Sequence, residues 1–232
     1  MMKTIGVLGG LGPQATMDFE ARVHAAAQRL IPQIANTGYP PMIVTYLRCA
    51  PMILGPDYRP ILPLQPEPRL LDAARRLGPL VDFLVITANG PHVFQGQIEE
   101  AAGRPVLSII DLTVAEVQRR GWRRVGVIGM GGPHAYAIPL GRLGIAVESI
   151  PPGLQEQVDR SVIALYEGAA GPGARTVARE AFDFLRRQTI DGIVLGCTDL
   201  PLLLDQDVAD PSVIDPTLLL AEAAVREAMQ EA

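Results

Sequence analysis

The residue of this sequence best placed to do chemistry is a thiol that follows a buried strand. Cys197 stands in Gly196-Cys197-Thr198-Asp199-Leu200-Pro201, after the apolar run Gly192–Leu195 and at the start of a helical turn. Amides opening such a turn stabilise a thiolate and lower its pKa towards reactivity. Thr198 adds a hydroxyl that can bind substrate or cap the turn. Alone, Cys197 would read as a buried inert thiol; a strand-end position that recurs elsewhere in the chain favours the chemical reading. A second turn, Thr87-Ala88-Asn89-Gly90-Pro91-His92, offers Asn89 and the amides after it to an anion. His92 can orient a ligand there or sit satisfied on a helix face. A third turn is Gly9-Gly10-Leu11-Gly12-Pro13-Gln14-Ala15-Thr16. Its glycines let backbone approach a ligand, and the first helical amides attract an anion. It matches neither a dinucleotide fingerprint nor a P-loop, so a carboxylate suits it better, unless it is a tight turn alone. Arg48, at the end of a predicted strand, can clamp a carboxylate through its planar fork or be an ordinary surface arginine.

These turns need strands and helices to hold them. Short apolar runs at Thr4–Leu8, Met42–Leu47, Phe83–Thr87, Val106–Ile109, Arg124–Ile128, Ile145–Ser149, Gly192–Leu195 and Ser212–Ile214 read as strands. Helical patterns fall near 14–30, 67–77, 92–102, 112–120, 134–142, 154–168, 174–188 and 216–230. Strands apolar throughout and alternating with helices predict parallel sheets covered on both faces. Six prolines after Ala50, up to Pro68, exclude a helix there and predict a long loop, either a lid or a rigid connector.

The chain also repeats itself. Ile5-Gly6-Val7-Leu8-Gly9, followed by Gly12-Pro13-Gln14-Ala15, aligns with Val125-Gly126-Val127-Ile128-Gly129, followed by Gly132-Pro133-His134-Ala135. Residues 82–89 align with 191–198, which sets Ala88 against Cys197, and Ile110–Thr113 aligns with Ile214–Thr217. The order is the same in both halves. The expected architecture is α/β, with two pseudo-symmetric flavodoxin-like lobes: 1–112 plus 216–232, and 113–215. Ligands of open α/β sheets sit at the carboxyl ends of strands, so an inter-lobe active-site cleft is expected.

Composition removes several other functions. The 232 residues are 48% hydrophobic, which is too apolar for disorder, and carry a net charge of −5. No basic stripe is visible to neutralise phosphates, so no nucleic-acid partner is expected. No run approaches the ~20 apolar residues of a membrane span, and no membrane partner is expected. Lys3 is the only lysine and opens the first strand, which argues against a pyridoxal Schiff base. His24, His92 and His134 are far apart, so no metal site is expected. Two cysteines, Cys49 and Cys197, make no disulfide framework, and a reducing cytoplasm is the default. Cys49 can face a ligand or be a buried, inert thiol. Glycines interrupt the apolar start, which reads as a strand and turn rather than a signal peptide.

The motifs together resemble the aspartate/glutamate racemase superfamily, in particular its amino-acid racemase branch. The resemblance rests on Gly-Gly-x-Gly-Pro-x-Ala-Thr at 9–16, the Asn-x-x-His of Asn89 and His92, and Gly-Cys-Thr-Asp-Leu at 196–200, and it spans nearly the whole chain. It implies no cofactor, a homodimer, and thiols that remove and return a proton at the substrate Cα. Cys197 is then one acid/base, and Gly12, Gln14, Thr16, Asn89, Gly90, His92 and Thr198 hold the substrate, with Arg48 on a side-chain carboxylate. The implied substrate is a small acidic amino acid. The chain departs from the pattern in three places. Ala88 stands where the first catalytic cysteine is expected, no lysine follows Lys3, and Gly131-Gly132-Pro133-His134-Ala135-Tyr136 replaces the usual Gly-Thr-x-x-Thr. His134 and Tyr136 then line the cleft or simply open a helix. Three functions fit this reading. One is racemisation or isomerisation by Cys197 with water, Thr87 or His92 as substitute donor. Another is single-thiol decarboxylation of a malonate-type acid. The third is carboxylate binding by a divergent or engineered Cys-to-Ala form.

Overall fold

The structure is a computed structural model and describes residues 1–35, 37–56, 60–204 and 210–230. Within the proline-rich segment, Asp57, Tyr58 and Arg59 lie outside the described residues. The chain divides into two compact units, Met1–Ile109 with Thr217–Ala232, and Ile110–Pro216.

In the first unit, β1 (Ile5–Gly9) lies between β2 (Met42–Tyr46) and β3 (Phe83–Ile86) in a parallel sheet of order β2-β1-β3. Ile5 pairs with Met42 on one side and Phe83 on the other. Every residue of β1 and β3 is buried, as unbroken apolar runs require. α1 (Pro13–Leu30) buries Ala15, Thr16, Phe19, Val23, Ala26 and Ala27, one stripe at helical spacing. α2 (Pro68–Leu77) buries Leu70, Ala73, Ala74 and Leu77. A 3-10 turn at Gly90–Phe94 leads into α3 (Gln95–Ala102). The final helix, α9 (Pro216–Met229), is tied to the start of the chain by the Lys3–Glu227 ion pair at 2.7 Å and by Lys3 N–H donating to Ala228 O at 2.9 Å.

In the second unit, β4 (Arg124–Ile128), β5 (Ala146–Glu148), β6 (Gly192–Leu195) and β7 (Val213–Ile214) form a parallel sheet of order β5-β4-β6-β7. The helices are α4 (Ile109–Arg119), α5 (His134–Arg142), α6 (Pro152–Tyr166), α7 (Pro172–Arg186) and the short α8 (Leu200–Leu204). The core joins Val158 and Val162 of α6, Phe182 and Leu185 of α7, Ile193 and Leu195 of β6, and Cys197.

The internal repeat is physical. β1 and β4 are the matched central strands, and β3 and β6 are their matched neighbours. Asp82 and Asp191 serve as equivalent staples where those neighbours begin. Asp82 Oδ2 accepts the Thr4 amide at 2.6 Å, and Asp191 Oδ2 accepts the Arg123 and Arg124 amides at 2.6 and 2.9 Å. The expected strand at Val106–Ile109 is corrected to a single parallel bridge between Val106 and Leu84. Pro105 has no N–H to give a ladder, and Ile109 already begins α4.

Candidate active site

The glycine-rich turn after β1 is held by Thr16. Its Oγ1 accepts the Gly10 amide at 2.8 Å, lies 3.1 Å from Gly12 O as donor, and shares a hydrogen bond with Thr87 Oγ1 at 2.8 Å. Gly10 has φ +74, and a Cβ there would lie 2.6 Å from the Leu47 amide nitrogen. Glycine is therefore required by both conformation and space. Thr16 is fully buried, and its hydroxyl bolts the turn together. Gly12 caps α1 without a side-chain bond, and Pro13 fills the first turn. Gln14 is half-buried beside it.

Thr87, at the end of β3, is buried and engaged with Thr16. Ala88 and His92 are half-buried, Asn89 is buried and Gly90 is exposed. The Ile109 amide donates to His92 Nε2 at 3.4 Å, which assigns the proton to Nδ1. Nδ1 then donates to Ala88 O at 3.0 Å and Asn89 O at 3.2 Å. Both ring nitrogens of His92 are engaged, and the ring ties the turn to the start of α4. Neither Thr87 nor His92 is left as an uncommitted proton donor.

Arg48 is exposed beyond the end of β2, its guanidinium 5.4 Å from the centre of the Tyr46 ring. Stacking on an aromatic face leaves the planar edge of the fork for a carboxylate. Cys49, next to it, packs against the first unit's core, and burial pushes its thiol pKa up.

In the second unit the residues around Cys197 form a buried polar cluster. Cys197 is 7% exposed, Thr198 4% and Asp199 1%. The Cys197 thiol donates to Asp199 Oδ2 at 3.7 Å, and the Tyr166 hydroxyl donates to the same oxygen at 2.9 Å. The amides of Asp199 and Met130 are directed at the sulfur. Met130 lies in the glycine turn after β4, where Gly131 and Gly132 have φ of +73 and +99. α6 braces that turn: Gln155 Nε2 donates to Gly129 O at 2.7 Å, and Asp159 Oδ1 accepts the Gly131 amide at 2.9 Å.

The expectation of a lowered thiol pKa is overturned. Burial, and then the Asp199 charge, push Cys197 up to about 12, and the two amides oppose this only in part. Among the described residues α8 has only five to supply a dipole, and the Asp199 carboxylate immediately precedes it. The resting sulfur is therefore a protonated donor, with two amides ready to receive the thiolate left behind. Burial likewise raises the pKa values of Tyr136 and Tyr166, so both remain neutral. Tyr136 is buried and its hydroxyl reaches Thr113 Oγ1 at 3.5 Å, whereas His134, opening α5, is exposed.

Sequence reasoning passed over Asp199 as a partner of the thiol and Tyr166 entirely. The signal for Asp199 was a carboxylate two residues from the cysteine on a strand-end turn. Tyr166 gave none, since only the packing of α6 brings it there. Among the described residues, no group of three or more His, Cys, Asp or Glu side chains is arranged to hold a metal, and no helix is long and apolar enough to cross a membrane.

The chain belongs to the Asp/Glu/hydantoin racemase family, whose model matches residues 8–224. It is 27% identical over 224 residues to the broad-specificity amino-acid racemase of Bacillus subtilis (strain 168), covering 95% of this chain and 96% of that protein. The crystal structure of an aspartate racemase homologue from Pyrococcus horikoshii OT3 superposes with a TM-score of 0.75 at 22% identity, covering 99% of this chain and 100% of that one. Picrophilus torridus aspartate racemase gives 0.74 at 17% identity, with 97% and 94% covered. Both structures share the fold.

Proposed function

We propose that this protein is a cofactor-independent amino-acid racemase or isomerase in which Cys197 transfers a proton at the substrate Cα. The observation that carries the reading is the setting of the sulfur: a strand-end thiol with two amides for its conjugate base and a carboxylate in contact. Giving its proton to a Cα carbanion, Cys197 becomes a thiolate bonded by the Met130 and Asp199 amides. In the reverse direction that thiolate removes the Cα proton. Arg48 supports a small acidic substrate, through a bidentate bond to the side-chain carboxylate. The anion-binding amides after Gly12 and Asn89 would take the α-carboxylate, with Gln14, Gly90 and Thr198 completing the site, while Thr16 and His92 shape its turns.

The second acid/base position is Ala88, which carries no proton. Thr87 and His92 are committed elsewhere, so water is the substitute. Loss of a positioned acid/base costs ~10²–10⁴ in rate. Ala88→Cys is expected to raise racemisation of aspartate or glutamate by about that factor, read by polarimetry. No gain in a folded variant would count against the reading. The protonated resting thiol also favours a second reading, in which Cys197 protonates the carbanion left when a malonate-type acid loses carbon dioxide. Release of carbon dioxide from such acids, with no Cα exchange of amino acids, would select it. A homodimer working in the cytoplasm belongs to the proposal, and sedimentation velocity tests the dimer.

A further inference from the structure

Helix α6 meets the surroundings of the sulfur along its first half and again at its last residue. Between its start and its middle, Gln155 and Asp159 brace the turn from which the Met130 amide reaches Sγ. At its last residue, Tyr166 donates to Asp199 Oδ2, the same oxygen that accepts the Cys197 S–H. A carboxylate oxygen offers about two lone-pair directions, and the phenol and the thiol share Oδ2. They share it unequally: the phenol sits at 2.9 Å, and the weaker thiol donor at 3.7 Å.

We infer that Tyr166 is a positioning residue for Cys197, holding Asp199 Oδ2 through its hydroxyl so that the carboxylate is only loosely bonded to the thiol. The proton then remains on sulfur, available for transfer. Without the phenol, the charge on Oδ2 would fall undivided on the S–H, tightening that contact and drawing the proton towards oxygen. Tyr166 thus acts through Asp199. Among the described residues, Tyr136 of α5 also interacts electrostatically with the sulfur, and Asp215 after β7 interacts with Tyr136. Burial holds Tyr136 neutral, and among the described residues the Asp199 carboxylate is the acidic side chain bonded to the sulfur. The use of this arrangement in turnover rests on the reading of Cys197 given above, but the contact itself does not.

The S–H stretching band of the whole protein tests the inference, assigned by its loss in Cys197→Ser. Tyr166→Phe keeps the ring and should move the band to lower frequency, as a stronger S–H bond to the carboxylate requires. Asp199→Asn should move it to higher frequency. Adding Tyr166→Phe to Asp199→Asn should shift the band by less than half of what Tyr166→Phe does alone, because the charge it rebalances is gone. A band unmoved by Tyr166→Phe, or moved equally in both backgrounds, overturns the inference. A band that behaves as expected in a protein showing no Cα exchange would leave the positioning intact and reject only its catalytic use.

Discussion

Replacing Cys197 by serine should flatten the alkaline loss of stability. Burial raises the thiol from 9.0 to about 12, so between those values the folded chain holds a proton that the unfolded chain has released. Stability falls with rising pH wherever the folded state binds more protons. The contribution of the neutral thiol is therefore complete below pH 9 and lost as the pH climbs towards 12. At about pH 10 the unfolded thiol is ionised roughly ten to one and the folded thiol hardly at all, a loss of about 1.4 kcal/mol. Serine does not ionise in this range. Urea unfolding of the natural chain and Cys197→Ser at about pH 8 and about pH 10 should give a decline larger by about 1.4 kcal/mol in the natural chain. Cys49 and the tyrosines titrate in both chains and cancel. Parallel declines would mean that the sulfur is not held neutral by its surroundings, and the protonated-donor argument would fail with it.

Thr16→Val should destabilise the protein by about 2 kcal/mol by leaving the buried Gly10 amide unpaired, lowering Tm by roughly 4–8 °C. Thr16→Ser should lose much less, and equal losses would show that the hydroxyl does not hold the turn. Glu116 is kept near 2 by its bond to Arg119, with Arg120 adding to it. Its contribution is present above pH 4.5 and lost as the pH falls towards 2, so Glu116→Gln should flatten the acid side of a Tm profile.

The repeat was legible because it is written in backbone-determined features: apolar runs, glycines at turns, and the paired aspartates Asp82 and Asp191 that begin β3 and β6. The runs and glycines act within a few positions of themselves in the chain, whereas each aspartate is bonded to a strand start far away in it. Val106–Ile109 misled because an apolar, β-branched run reads the same whether it forms a strand or enters a helix. Thr16 and His92 were recognised as polar groups in important turns, but their direction was not. Only tertiary structure shows that Thr87 and the Ile109 amide use up their bonding capacity. The sign of the Cys197 shift was hidden for a similar reason. Local sequence shows amides that stabilise a thiolate, whereas burial beside a charged Asp199 is settled by the packing of the second unit's core.

The central claim is that the Cys197 sulfur exchanges a proton with a substrate Cα. Incubating the protein with D- and L-aspartate or glutamate in D₂O, and reading Cα deuterium by NMR, tests it most directly. The account predicts deuteration by the natural chain, favouring one enantiomer because Ala88 supplies no second thiol, and none by Cys197→Ser. Equal deuteration by the natural chain and a folded Cys197→Ser variant would contradict it.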